Sequence, residues 1–241
     1  MSDQPALLVP QTTASVPAET RSFLRPLAVA ALGLVVVGNA LSLLLTGFTP
    51  NGDPSHGFAF QEIAGHPDRF WALTAFGGIG QALLTTGTAF AVCLLVRTRG
   101  SVLARVGAVL SVLSGALLSA GLASIAVLYG YATDPAVLNP AAGRAFVDHA
   151  NDHTWRFTAL VTPGALCGII AMALIAVALW RGRAVPRWIP VIFFIGTLAG
   201  FVISSGLTGV LVALPATCAM VLISCYALRT TRATAQVSPA A

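Results

Sequence analysis

Charged residues are scarce in this sequence, and one charged residue type is missing altogether. The 241-residue chain contains no lysine, and charged residues make up only 9% of it, whereas hydrophobic residues make up 56%. A soluble globular domain carries about a quarter charged residues. The mean hydropathy of +0.85 agrees with this contrast. We therefore exclude a soluble domain and expect several membrane-spanning helices.

The sequence also lacks the motifs that would identify a reaction. It has no P-loop, no Gly-x-Ser-x-Gly, no His-Glu-x-x-His and no paired Asp-rich motif. No Asp, Glu, Lys, Arg or His lies in the middle of an apolar run, where ion-coupled transporters and proton pumps place such a residue. The composition therefore predicts a membrane protein without naming an activity.

A disulfide framework is excluded as well. The four cysteines, Cys93, Cys167, Cys218 and Cys225, all fall inside apolar runs, and none belongs to a Cys-x-x-Cys pair. Cysteine in an apolar helix behaves as a small hydrophobic residue. We interpret all four as packing residues.

What the sequence does contain is a series of apolar runs of membrane-spanning length. A hydrocarbon core about 30 Å thick requires roughly 20 helical residues. Four such runs occupy 27–48, 70–96, 102–129 and 157–180, and a longer stretch occupies 188–228. Because Arg187 precedes the long stretch and Arg229 follows it, dividing it into two spans keeps both arginines on one side of the membrane. Ser204, Ser205 and Gly206 supply the turn. We predict an all-α polytopic membrane helix bundle, with six transmembrane helices in three hairpins.

Arginine placement orients this bundle. Ten of the thirteen arginines flank the spans on one side of the membrane, and only Arg69, Arg144 and Arg156 lie on the other. Short Arg-rich loops remain cytoplasmic. We predict a multi-pass protein of the plasma (inner) membrane with both termini cytoplasmic. The net charge of +5 is spread over four loops, so it predicts contact with the lipid bilayer and no nucleic-acid partner.

These assignments divide the chain into three parts. A disordered cytoplasmic tail at 1–26 is rich in Pro, Thr, Ala and Ser. A six-span domain occupies 27–228, with outer loops at 49–69 and 130–156. A cytoplasmic C-terminal tail occupies 229–241.

The two outer loops resemble each other. Residues 59–73 and 145–160 both read Ala-Phe-x-acid-x-Ala, then His, then Arg-Phe-x-Ala-Leu, with one residue inserted in the second copy. The flanking spans correspond too. We therefore interpret spans one and two as a parallel repeat of spans three and four, with a short outer helix in each loop.

These loops concentrate acidic and histidine side chains at one spacing. Three pairs lie four residues apart: Glu62 and His66, Asp148 and Asp152, and His149 and His153. Residues at this spacing share a helix face, and the repeat symmetry predicts that the six converge near one outer cavity. Arg69 and Arg156 complete the predicted ligand-binding set, and Asp152 can also pair with Arg156.

This cluster has several interpretations. In the first, it binds a divalent metal, with His66, His149 and His153 as candidate ligands. In the second, it ligates haem through His66 and His153. In the third, it handles protons or a ligand at the mouth of a transport path. In the remaining interpretation these side chains only cap helices and anchor loops. The pattern does not identify a cofactor.

For function, we expect an integral membrane binding or accessory protein whose working face is extracytoplasmic. One alternative is a small membrane-embedded enzyme in which the catalytic Glu62 and Asp148 act as general acid and base on a lipid-like or apolar substrate. A second alternative is a permease for a small molecule, which the uncharged spans disfavour. A small apolar ligand and a divalent metal are thus the expected small partners.

Small residues recur at helix-packing spacing. Gly164 with Gly168, and Gly196 with Gly200, form Gly-x-x-x-Gly pairs, which permit close approach of helices in lipid. Packing within the monomer is the favoured interpretation. The alternative is a homodimer through Gly-rich helix faces.

Two short stretches carry a weak family resemblance. His66-Pro67-Asp68-Arg69-Phe70-Trp71 and Val185-Pro186-Arg187-Trp188 resemble segments of the small, uncharacterised six-span integral membrane proteins of actinobacteria. The resemblance covers most of the chain and implies the same topology. It implies no activity and no site residue.

Overall fold

The fold is built from helices throughout the part of the chain that can be described. A computed structural model describes residues 18–48, 58–203 and 206–236, and the regular elements in these ranges are all α-helices. In chain order they are α1 (Ala18–Phe48), α2 (Phe60–Gly65), α3 (Pro67–Leu95), α4 (Ser101–Thr133), α5 (Pro140–Asp152), α6 (Thr154–Phe157), α7 (Val161–Gly182), α8 (Trp188–Val202) and α9 (Gly206–Gln236). The predicted all-α fold is confirmed.

Five of these helices are long and apolar enough to cross a membrane. The spanning parts are Phe23–Phe48 in α1, Gly206–Arg232 in α9, and the whole of α3, α4 and α7. The sixth apolar helix, α8, has 15 residues, which extend about 22 Å at 1.5 Å per residue. This length is below the roughly 30 Å of the hydrocarbon core. Helix α8 is therefore shorter than the span predicted for the first half of the 188–228 stretch.

The long apolar stretch at 188–228 is divided, as predicted. Helix α8 ends at Val202, and α9 begins at Gly206, whose φ of 67° lies in the left-handed region that favours glycine. The predicted turn residues Ser204 and Ser205 lie outside the described residues. Helices α8 and α9 then pack against each other as a hairpin.

Both terminal helices run beyond the predicted spans. Helix α1 begins at Ala18, inside the segment predicted to be disordered, and α9 continues to Gln236, inside the predicted C-terminal tail. Strong helix formers such as Ala18, Glu19 and Arg21 extend a helix that the apolar run has already nucleated. Residues 1–17 and 237–241 of the two tails lie outside the described ranges.

The six apolar helices pack in a closed circuit. Helix α1 packs against α3, α3 against α4, α4 against α7, α7 against α8, α8 against α9, and α9 against α1. Helix α9 also contacts α3 across the bundle. The members of each predicted hairpin are therefore direct neighbours.

Glycines make the closest of these contacts possible. A Cβ atom added to Gly38 of α1 would lie 2.5 Å from the backbone nitrogen of Leu84 and 2.7 Å from the carbonyl oxygen of Gly80, both in α3. The two helix backbones therefore touch at this point. In lipid, where apolar burial does not drive association, this kind of contact holds helices together.

The glycines of the predicted dimer faces are mostly used inside the monomer. Gly164 lies against Leu118 of α4, Gly168 against Ser114 of α4, and Gly196 against Ala216 of α9. Gly200 alone among the four has open space around its Cβ position. The favoured intramolecular packing accounts for three of these positions, and the homodimer stays a prediction.

Buried side chains form two separate cores. The larger lies near the arginine-flanked ends of the six apolar helices and includes Val35, Val92, Ile175, Ile189 and Ile223. The smaller lies at the opposite ends and joins α2 and α5 to α3 and α4. The two loops that are predicted to be outer, in the parts that the structure describes, are therefore folded onto the bundle.

Candidate functional site

The smaller core organises a cap of residues 58–70 and 129–153. We call it the outer cap because the arginine distribution predicts that this end of the bundle faces outward. Ile63 of α2 and Val147 of α5 are fully buried in it, together with Phe70 and Tyr129. Gly143, Val147 and Ala150 lie on the buried face of α5, at the spacing of an amphipathic helix. The predicted short outer helices are therefore present, and one face of each packs inward.

A side-chain bridge fastens the cap. The Tyr129 hydroxyl donates to Oδ1 of Asn151 at 3.1 Å, and Nδ2 of Asn151 donates to the carbonyl oxygen of Phe58 at 3.0 Å. The Phe58 ring packs edge-on against Phe70 and Tyr129, with centroid distances of 5.2 and 5.4 Å. These contacts connect the end of α4, the end of α5 and the segment before α2, so the cap is attached to the bundle through side chains.

The two copies of the repeat pack differently in this cap. Gln61 is exposed where its counterpart Val147 is buried, and Ile63 is buried where its counterpart His149 is exposed. Helix α2 has six residues and α5 has thirteen, and the longer α5 packs against α4 more extensively than α2 does. The similar sequences therefore do not produce equivalent side-chain environments.

The histidines of the second loop come together as predicted. The rings of His149 and His153 lie 4.2 Å apart between centroids. Nδ1 of His153 is 3.0 Å from the carbonyl oxygen of His149, a hydrogen bond that places a proton on Nδ1. Asp148 and Asp152 are exposed on the same helix. Arg156 lies over the Trp155 ring at 5.2 Å and, within the described residues, does not pair with Asp152.

The pair in the first loop is arranged differently from the prediction. Helix α2 ends at Gly65, and His66 has φ −148° and ψ 60°, outside the helical region. Because the chain leaves the helix there, Glu62 and His66 do not share a helix face. Arg69 donates to the carbonyl oxygen of Phe48 at 3.4 Å and lies 5.6 Å from the centre of its ring. His66 and Arg69 thus border a small cavity of about 150 Å³ next to α1.

The predicted histidine and carboxylate cluster does not assemble as a metal site. Across residues 18–48, 58–203 and 206–236, no group of three or more His, Cys, Asp or Glu side chains is placed to hold a metal ion. His66 belongs to the α1–α3 side, whereas His149 and His153 belong to α5, which packs on α4. The proposed catalytic pair, Glu62 and Asp148, is exposed on two different helices.

A groove that the sequence-based analysis missed lies between the outer ends of α3 and α4. Its volume is about 370 Å³. The lining residues come from the first two turns of α3, the last turns of α4 and the two residues after α4: Pro67, Asp68, Trp71, Val127, Gly130, Tyr131, Asp134 and Pro135. Because α3 and α4 are joined by a short loop and pack side by side, the start of α3 lies next to the end of α4. The acidic residues next to those ends, Asp68 and Asp134, are the sequence feature from which the groove could have been predicted.

The groove combines negative charge with exposed aromatic surface. Asp134 caps the C-terminus of α4, the end of a helix that carries partial negative charge. Its Oδ1 accepts a hydrogen bond from the backbone N–H of Ala136 at 2.8 Å, which orients the carboxylate. Trp71 is 47% exposed and Tyr131 is 60% exposed, so both rings present surface to a ligand. No arginine or histidine lines the groove in the described part of the chain.

Comparison with known proteins adds no assignment to this geometry. No protein-family model matches the chain, and neither the curated proteins nor the solved structures include a match. The fold and the groove define a polytopic helical membrane protein with a folded outer cap.

Proposed function

We propose that this chain is an integral plasma-membrane binding protein with both termini cytoplasmic and a ligand site on its extracytoplasmic face. The observation that carries the proposal is the α3–α4 groove, with Asp68 and Asp134 beside Trp71 and Tyr131. A concave site with apolar and aromatic walls and a few polar groups is the usual composition of a small-molecule site. The arginine distribution supports its extracytoplasmic position.

The attached cap supports binding at a preformed site. Tyr129 and Asn151 hold the end of α4 to the cap through side-chain hydrogen bonds, and the groove is built on the adjacent residues of α4. A site on braced helices loses less conformational entropy when it binds a ligand than a mobile loop does. Glu62 and Asp148 line neither of the two cavities described here, which weakens the support for acid–base catalysis by this pair.

Cysteine labelling tests the position of the site. All four native cysteines are replaced by alanine, and either Tyr131→Cys or Val102→Cys is added. These two positions are matched, because both lie on α4 and are 60% and 70% exposed, but at its opposite ends. A membrane-impermeant maleimide applied to intact cells should label Tyr131→Cys and leave Val102→Cys unlabelled until the cells are permeabilised. The reverse pattern would overturn the proposal.

Binding itself is tested on protein purified in an uncharged maltoside detergent. Replacing Trp155, Trp180 and Trp188 by Phe leaves Trp71 as the single tryptophan, because the chain has four. Probes of one alkyl length and different charge are titrated: hexylamine, hexanol and hexanoate. A saturable change in Trp71 fluorescence with any of the three supports a binding site in the groove. A linear response to all three contradicts the binding function.

A further inference from the structure

We propose that the α3–α4 groove takes an amphiphilic ammonium ion, with the cation between Asp68 and Asp134 and the alkyl part along Val127. This proposal rests on the binding function proposed above and names the ligand class of that site. It follows from the charge, the aromatic walls and the direction in which polarity changes along the groove.

Charge selects a cation. The groove contains two carboxyl groups, Asp68 in the first turn of α3 and Asp134 at the end of α4. The partial positive charge at the N-terminus of α3 and the partial negative charge at the C-terminus of α4 offset each other, so the two carboxylates set the sign of the charge. The nearby arginines are engaged elsewhere: Arg69 over the Phe48 ring and Arg144 over the Phe60 ring, at 5.6 and 5.7 Å. An anionic ligand would therefore meet two carboxylates without a compensating cation.

The aromatic walls favour an organic cation over a metal ion. Trp71 and Tyr131 both line the groove with exposed rings, and an ammonium group within about 6 Å of such a ring is attracted by its negative face. Gly130 lies next to the Trp71 ring, because a Cβ atom added there would be 3.8 Å from Cδ1 of Trp71, an ordinary van der Waals contact; without a side chain, Gly130 leaves the ring uncovered. The described residues offer no group of three ligands for a metal ion.

Polarity changes along the groove in the way an amphiphile requires. Val127, Gly130, Tyr131 and Asp134 all line it, and their spacing places them on one face of α4. The eight residues from Val127 to Asp134 are separated by seven helical steps and rise about 10 Å, which is long enough for an extended six-carbon chain and its ammonium group. The apolar end lies further into the span, and the charged end lies at the helix terminus. A ligand that enters from the membrane would therefore leave its ammonium group at the outer surface.

A zwitterionic phospholipid fits this groove less well. Its phosphate lies close to its amine, so it would be held near Asp68 and Asp134. None of the side chains that line the groove carries a positive charge to neutralise that phosphate. We therefore commit to an ammonium amphiphile without an adjoining anion.

The fluorescence titration with Trp71 as the single tryptophan distinguishes these ligands. We expect hexylamine, which is protonated at neutral pH, to saturate the signal, and hexanol and hexanoate to bind more weakly. Asp68→Asn and Asp134→Asn should each weaken hexylamine binding by about two- to fivefold, the range typical of partly exposed ion pairs. The Asn side chain at 134 keeps an Oδ1 acceptor for Ala136, so the turn is retained. Glu19→Gln, the same loss of one negative charge in the first turn of α1 at the opposite end of the bundle, is the matched control and should leave binding unchanged.

Each other outcome has a defined meaning. Equal saturation by hexanol, with no effect of either Asn variant, would overturn the ammonium assignment while the binding function stands. Saturation by dihexanoyl phosphatidylethanolamine at least as tight as by hexylamine would replace the proposed ligand by a zwitterionic lipid and overturn the proposal. No saturable response to any probe would contradict the binding function itself. Gly130→Leu fills the groove without changing charge and should abolish hexylamine binding even if an Asn variant fails to fold.

Discussion

Replacing Gly38 by alanine should destabilise the bundle, although the same change at Gly33 of the same helix should not. The added methyl group would lie 2.5 Å from the backbone nitrogen of Leu84, 2.7 Å from the carbonyl oxygen of Gly80 and 2.8 Å from Cα of Leu84. All three atoms belong to the backbone of α3, so no side-chain rotation can make room. Helices α1 and α3 would have to separate locally.

The expected cost follows from two opposing effects. Overpacking of a close contact costs about 1–3 kcal/mol, whereas alanine is favoured over glycine in a helix by about 1 kcal/mol. Gly33 provides the matched control, because it lies on the same helix and nothing lies within 4 Å of its Cβ position. Both substitutions restrict the unfolded chain equally. The difference between the two variants therefore isolates the contact and should be about 1–3 kcal/mol.

Thermal unfolding of the detergent-solubilised protein measures this difference. For a chain of this size, 1 kcal/mol corresponds to a shift in Tm of roughly 2–4 °C. Gly38→Ala should thus unfold several degrees below Gly33→Ala, which should match or exceed the parent. Equal Tm values for the two variants would refute the close approach of α1 and α3 and the circuit of helices built on it.

Two further predictions concern the cap and the topology. Asn151→Ala removes the bridge between Tyr129 and Phe58 and should destabilise the cap by about 1–3 kcal/mol, the range for the loss of two side-chain hydrogen bonds; faster hydrogen exchange confined to the cap would show it. The neighbouring Asp152→Ala, at an exposed position, should leave exchange unchanged, and equal effects of both would contradict the bridge. Reporters fused after Gly182 should read cytoplasmic and those after Asn139 external, because the arginine-rich loops stay inside; an external reading after Gly182 would overturn the orientation.

The four-residue spacing predicts which side chains lie together in one loop and fails in the other, and the helix ends explain why. The spacing of His149 and His153 predicts their proximity, and their rings do lie 4.2 Å apart on α5. The same spacing fails for Glu62 and His66, because α2 ends after six residues and His66 leaves the helical conformation. Residues four apart share a helix face only where the helix is continuous, and the positions of the helix ends are the least certain part of such a prediction.

Much of the architecture was determined by the sequence alone. Apolar runs of membrane-spanning length predict the long helices, because backbone groups in lipid must be satisfied within the helix itself. Arginine placement predicts the division of 188–228 into α8 and α9, a division that the structure bears out. These properties depend on composition and length, which do not require knowledge of neighbouring helices.

The tertiary structure decided which side chains meet. The groove joins Asp68 of α3 to Asp134 of α4, residues far apart in the chain that only the packing of two helix ends brings together. The same packing turned Ile63 inward and its repeat counterpart His149 outward, although the two loops read alike. Burial and proximity depend on how each helix is rotated and how far it extends against its neighbours, and backbone contacts such as that of Gly38 with α3 set this arrangement.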